Sequence, residues 1–102
     1  FISAGENIQP ESIEQALKRL PGVEEVCVLA VTDMEYGQVP IALLKLSAEE
    51  IYSKEQLEAT VRSALGGLCV PSRWLKLPEQ DSGLKYRKKD LIRSLDTLRD
   101  LF

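Results

Sequence analysis

At 102 residues, 44% hydrophobic and 28% charged, the chain has the composition of one ordinary soluble domain, long enough for a single core but short for a cleft holding substrate, cofactor and catalyst together. It contains no histidine, which excludes Ser-His and Cys-His nucleophile pairs and most zinc or iron sites, so no metal ligand is assigned. The formal net charge of -3 hides a split: residues 1 to 60 hold eleven acidic and four basic side chains, residues 61 to 102 five acidic and nine basic.

The opening Phe1-Ile2-Ser3-Ala4-Gly5 has no initiator Met, no basic region and no long apolar run. Neither a signal peptide nor a membrane span is expected, and the chain is expected to start inside a longer protein. Cys27 lies in an apolar run and Cys69 beside Val70-Pro71, with no framework spacing. Free buried thiols in a reducing, cytoplasmic compartment are expected.

Phe1-Ile2 reads as the end of a strand, followed by a small-residue loop, Ser3-Ala4-Gly5-Glu6-Asn7, in which Gly5 is free to take a positive φ. Pro10 suits the first position of a helix, with Glu11 and Glu14 complementing its dipole and Ile13, Ala16, Leu17 and Leu20 forming the apolar stripe. Pro21-Gly22 ends it. The run Val26 to Val31 is rich in β-branched residues and predicts a strand covered on both faces, paired as a hairpin with Gln38 to Leu46 across the turn residues Asp33 to Gly37. Pro40 is expected near that strand's start or on an outward edge.

Ser53-Lys54-Glu55-Gln56 matches a capping box, with Leu57, Val61, Ala64 and Leu65 as the buried stripe and Gly66-Gly67 as the stop. Arg73 to Leu77 predicts a short strand ended by Pro78, and Glu79 to Leu84 a loop. Beyond it, Leu91, Leu95, Leu98 and Phe102 recur at helical steps and predict a terminal amphipathic helix. The pattern is α+β: a small, mostly antiparallel sheet with about three packed helices.

Three features could carry chemistry. Lys85 follows the turn Asp81-Ser82-Gly83-Leu84, where an ammonium on a loop could reach a carboxylate or phosphate oxygen, although on spacing alone an exposed surface lysine is the commoner reading. The Ser3 to Asn7 loop precedes a helix start and permits close backbone approach, yet it is equally an ordinary connection. Arg87, Lys88, Lys89 and Arg93 are either a solvated helix start or an anion or nucleic-acid contact. Overall acidity and the lack of interleaved aromatic residues, Tyr86 aside, argue against nucleic acid. The residues alone support an anion-contacting module without naming a reaction.

Taken together, several segments resemble the C-terminal domain of the adenylate-forming enzymes, the superfamily of acyl-CoA and aryl-CoA synthetases, luciferases and peptide-synthetase adenylation domains. Ser3-Ala4-Gly5-Glu6-Asn7-Ile8-Gln9-Pro10-Glu11-Ser12-Ile13-Glu14 is similar to the family's Gly-Gly-Glu-Asn-Ile-x-Pro-x-Glu-Ile-Glu segment. Leu20-Pro21-Gly22-Val23-Glu24-Glu25, then Val31 to Pro40, then Val70-Pro71 onward to Lys85 continue the likeness over most of the chain. Within the family, Glu6 to Glu11 and Val70 to Pro78 look most like an acid:CoA ligase branch of menaquinone biosynthesis.

The resemblance implies a two-step ligation. An acid attacks the α-phosphate of ATP, giving an acyl adenylate and pyrophosphate; the small domain then swings, and the CoA thiol displaces AMP. ATP and CoA are thus substrates, and Mg2+ is bound mainly through a large N-terminal ATP-binding domain that these residues do not include. That domain, CoA and the acyl adenylate are the implied partners, and residues 1–102 are the mobile C-terminal domain, inactive alone. Lys85 is the counterpart of the family's near-terminal lysine, with Lys88 and Leu91 on its Arg and Leu positions. The Ser3-Ala4-Gly5-Glu6 loop would line the pantetheine channel. The chain departs from the family in Leu84, which separates Gly83 from Lys85, and in Ala4 for the first Gly. Lys88 stands for the usual Arg, and Arg87 where many relatives have Asp.

Overall fold

A computed structural model describes residues 1–47, 51–78 and 87–102. In chain order its elements are β1 (Ile2–Ser3), β2 (Glu6–Asn7), α1 (Pro10–Lys18), β3 (Val23–Asp33), β4 (Gly37–Leu46), α2 (Lys54–Leu65), β5 (Arg73–Lys76) and α3 (Lys88–Arg93), with 3-10 turns at Gly67–Cys69 and Leu95–Thr97.

Local chemistry accounts for the two longer helices. Pro10 opens α1, where its fixed φ suits the helix and its missing N–H costs no bond, and Ile13, Ala16 and Leu17 are buried. For α2, the Gln56 N–H donates to Ser53 Oγ at 3.1 Å and the Ser53 N–H to Gln56 Oε1 at 2.7 Å, which is the expected capping box. Its buried side chains are Leu57 and Val61. The expected stripe runs one turn too far: Ala64 and Leu65 are exposed, because the helix stops at Gly66 (φ 95°) and that last turn projects past the core.

The β3–β4 hairpin pairs Val26 with Leu44 through Asp33 with Gly37 in unbroken antiparallel register. β4 is central. Beyond it lie β1, through Ser3 opposite Gly37, and β5, which pairs in parallel from Ile41 opposite Arg73 to Leu44 opposite Lys76. Pro40 sits where β4 has left β1 and has not yet met β5; its carbonyl accepts the Ser72 N–H at 2.9 Å. A strand residue's N–H and C=O point the same way, so the missing amide falls in the gap between the two neighbours.

Alternation along the strands divides the interior in two. Val28, Ala42, Leu44 and Trp74 face Ile13, Leu17, Leu57 and Val61 of α1 and α2, whereas Leu29, Ile41, Leu43 and Leu75 pack with Leu77, just past β5, and with Leu91 of α3. The sheet is therefore covered on both faces, as the apolar runs predict, and the fold is α+β with a small, mostly antiparallel sheet. Each fully buried Leu contributes roughly 2 kcal/mol over exposure, more than a surface ion pair supplies.

Two expectations need correction. The segment read as a loop after Phe1-Ile2 contains β2, which returns on β1 as a minimal hairpin. The terminal helix ends at Arg93 rather than reaching Phe102. Ser94 Oγ donates to the Asp90 carbonyl at 3.0 Å and Thr97 Oγ1 to the Ser94 carbonyl at 2.6 Å, local bonds that compete with helix continuation. From Leu98 the chain runs extended along β5: the Lys76 N–H donates to Arg99 O at 2.8 Å and the Leu101 N–H to Trp74 O at 2.9 Å. The outer edge of β5 gains backbone partners, which outweighs continuing an amphipathic helix.

Candidate functional site

The Ser3 to Glu6 segment is a two-residue hairpin turn. Ser3 and Glu6 pair across it, and the central Ala4 and Gly5 take φ of 47° and 83°. Two positive φ values are what the tight turns matching strand twist require. Ala4, Gly5 and Glu6 are exposed, whereas Ser3 is buried beneath them. A Cβ on Gly5 would meet nothing within 4 Å, so the outer side of the tip at Gly5 is open.

The tip leans on the β3–β4 turn. The Ala4 N–H donates to the Tyr36 carbonyl at 2.8 Å, and Ser3 lies opposite Gly37. That turn is itself tied by Asp33, whose Oδ2 accepts the Glu35 N–H at 3.0 Å and the Tyr36 N–H at 2.9 Å. Met34 and Tyr36 are exposed on it. One end of the sheet thus carries two braced turns that expose Ala4, Gly5, Met34 and Tyr36 together with the acidic Glu6 and Glu35.

A second constellation lies along the free edge of β3. Glu14 Oε2 accepts the Val28 N–H at 2.8 Å and pairs with Lys88 Nζ at 3.3 Å. Glu14 comes from the layer on one face of the sheet and Lys88 from the other, so the pair clasps the edge strand between them. Cys27 lies beside it. Burial pushes its thiol above the ordinary value of 9.0; the Lys88 charge works against that rise and Glu14 adds to it. Cys69 is raised as well, by burial. Both cysteines are free, as expected, but partly exposed rather than fully buried.

Lys85 and its loop lie outside the described residues. Of the basic cluster, Lys88 is engaged by Glu14, while Arg87, just before α3, and Lys89 and Arg93 on it are exposed. Among the described residues no group of three or more His, Cys, Asp or Glu side chains is placed to hold a metal ion, and no helix is long and apolar enough to cross a membrane. Two contributors escaped the sequence reading. From its place in α1 Glu14 is expected to complement the helix dipole, yet it accepts the Val28 N–H at a strand edge; Asp33 shows in the sequence only as turn composition. Asp three residues before Tyr36 in an Asp-x-x-x-Gly turn was the available signal for the second.

Residues 12–83 match the AMP-binding enzyme C-terminal domain, and the chain belongs to that family. Among individual relatives, it is 33% identical to 2-succinylbenzoate--CoA ligase of Escherichia coli over 89% of this chain and 20% of that protein. It is 42% identical to 4-chlorobenzoate--CoA ligase of a Pseudomonas strain over 78% of this chain and 15% of that protein. An Escherichia coli MenE variant solved with bound OSB-AMS superposes with a TM-score of 0.78 at 33% identity, over 93% of this chain and 20% of that one. The chain therefore spans about a fifth of the length of the curated relatives it matches.

Proposed function

We propose that residues 1–102 are the mobile C-terminal domain of an ATP-dependent acid:CoA ligase acting on o-succinylbenzoate. The carrying observation is the likeness to 2-succinylbenzoate--CoA ligases of several bacteria, such as 33% identity over 89% of the chain in Escherichia coli and 36% over 87% in Listeria monocytogenes. The large ATP-binding domain, supplied by the rest of the protein, is this domain's partner and holds ATP and its Mg2+. The protein works in the cytoplasm.

In the first half-reaction the acid's carboxylate oxygen bonds to the α-phosphorus of ATP and pyrophosphate leaves. Two anionic reactants repel, and the Lys85 ammonium placed between them offsets the charge growing on the phosphate. In the second, the domain turns so that the Ser3-Ala4-Gly5-Glu6 tip faces the reaction centre. The CoA sulfur then bonds to the acyl carbon, the acyl–phosphate bond breaks and AMP leaves. The exposed small residues of the tip leave room for pantetheine. The two steps are thus assigned to two different segments, Lys85 and the Ser3 to Glu6 tip, which suits a domain that presents one, then the other.

The test is Lys85→Ala in the full-length enzyme. Adenylate formation, followed as pyrophosphate release, is expected to fall by about a hundredfold or more, while thioester formation from preformed adenylate keeps its rate. Unchanged rates in both steps would remove Lys85 from the mechanism. A second acid is a specific alternative, because the 4-chlorobenzoate--CoA ligase match has the higher identity, 42% over 80 residues. Comparing kcat/KM for o-succinylbenzoate and 4-chlorobenzoate decides between them.

A further inference from the structure

We infer that Asp33 is a positioning residue for thioester formation, holding the Ala4–Gly5 tip in place through the Tyr36 carbonyl. The inference rests on the reading above that this tip serves the second half-reaction.

The β1–β2 hairpin has two residues in each strand, too few to fix its own direction in water. Its base is closed by the Phe1–Ile8 bonds and anchored by Ile8, buried in the core with Phe1 packed against it; toward the tip it is held by the pairing of Ser3 with Gly37 and by the Ala4 N–H to Tyr36 O bond. The last two both belong to the segment Asp33 to Gly37. The β3–β4 ladder closes at Asp33 opposite Gly37, leaving Met34, Glu35 and Tyr36 outside it. Within that turn the Asp33 carboxylate accepts the N–H groups of Glu35 and Tyr36 through one oxygen. With that acceptor gone the Glu35–Tyr36 peptide loses its tie, so the Tyr36 ψ that aims the following carbonyl at Ala4 is held only from the Gly37 side, and the tip's upper support weakens. Ala4 at φ 47° has most to lose, since an L-residue holds the left-handed region only when its surroundings insist.

A tip misplaced by an ångström is serious for a channel that orients a thiol, where near-attack geometry supplies much of the rate. The adenylation step uses a different segment and should not register the change. Asp33 acts entirely through the backbone; its carboxylate need not touch CoA.

The experiment compares Asp33→Ala, Asp33→Asn, Asp33→Ser and Gly5→Val in the full-length ligase. Adenylate formation is measured as pyrophosphate release, and thioester formation from preformed adenylate across a CoA titration. Asp33→Ala is expected to raise KM for CoA and slow the thioester step by about tenfold, with adenylate formation within about twofold of wild type. Asp33→Asn should recover most of the loss, because its amide oxygen still accepts both N–H groups, and Asp33→Ser should fall between. Equal losses in both half-reactions, no loss in either, or an Asn variant no better than Ala would each overturn the inference. If Asp33→Ala does not fold, the Asn and Ser pair carries the same comparison. Gly5→Val separates the two levels: a normal thioester rate in that variant removes the tip's role itself. A slow Gly5→Val beside a normal Asp33→Ala removes only the part assigned to Asp33.

Discussion

Ala4 is, among the described residues, the one non-glycine at positive φ, 47°. The small residue is visible in the sequence, but the backbone angle that makes it matter is not, because Glu6-Asn7 does not announce itself as a strand. Relieving the left-handed conformation should gain about 1–2 kcal/mol, while a glycine gives back about 0.4–1 kcal/mol through the greater freedom of the unfolded chain. The expected outcome for Ala4→Gly is a small net stabilisation, about 0.5 kcal/mol, seen as a higher urea midpoint with unchanged slope. A lower midpoint would mean that the methyl group contributes more than the angle costs. The same substitution leaves the Ala4 N–H in place for Tyr36, so it probes strain without cutting the brace.

At the scale of elements, legibility followed the range of the signal. The cap at Ser53, the Pro10 helix start and the β3–β4 hairpin depend on residues within a few positions of one another, and each is where the sequence puts it. Glu14 shows where that reach ends, since its partners are a strand amide fourteen residues on and a lysine of α3 in the opposite layer. Both edges of this clasp can be weighed. Lys88 and Glu14 side chains are 44% and 23% exposed, so their attraction is screened and Lys88→Ala should cost under about 1 kcal/mol. Glu14→Leu removes in addition the acceptor of the Val28 N–H and should cost about 1–3 kcal/mol. Glu14→Gln, which keeps an acceptor and drops the charge, should resemble the lysine variant. Urea unfolding of the three decides whether the edge bond or the ion pair dominates. A Glu14→Gln loss as large as that of Glu14→Leu would assign the stability to charge.

Over the whole molecule, the hydrophobic pattern defined the layers but not how the chain closes them. Leu91, Leu95 and Leu98 do pack toward the second core, as a helical stripe would have them, which is why periodicity misread the end: three of its four positions fit either conformation. Phe102 separates the two. On a continuous helix it would share the buried stripe; on the observed path along β5 it is 52% exposed, while Leu101 packs against the core that contains Trp74. The parallel pairing of β5 with β4 leaves its far edge to be covered, and Arg99 to Leu101 do so with the backbone bonds at Lys76 and Trp74. Phe102→Ala should therefore change stability by less than about 0.5 kcal/mol. Ending the chain after Leu98 should cost about 2–4 kcal/mol, from two backbone bonds and the partial burial of Leu101, and should promote self-association through the bared β5 edge. Thermal unfolding and sedimentation of the two variants read both effects. A large loss from Phe102→Ala with a small one from the truncation would restore the helix and take the covering strand away.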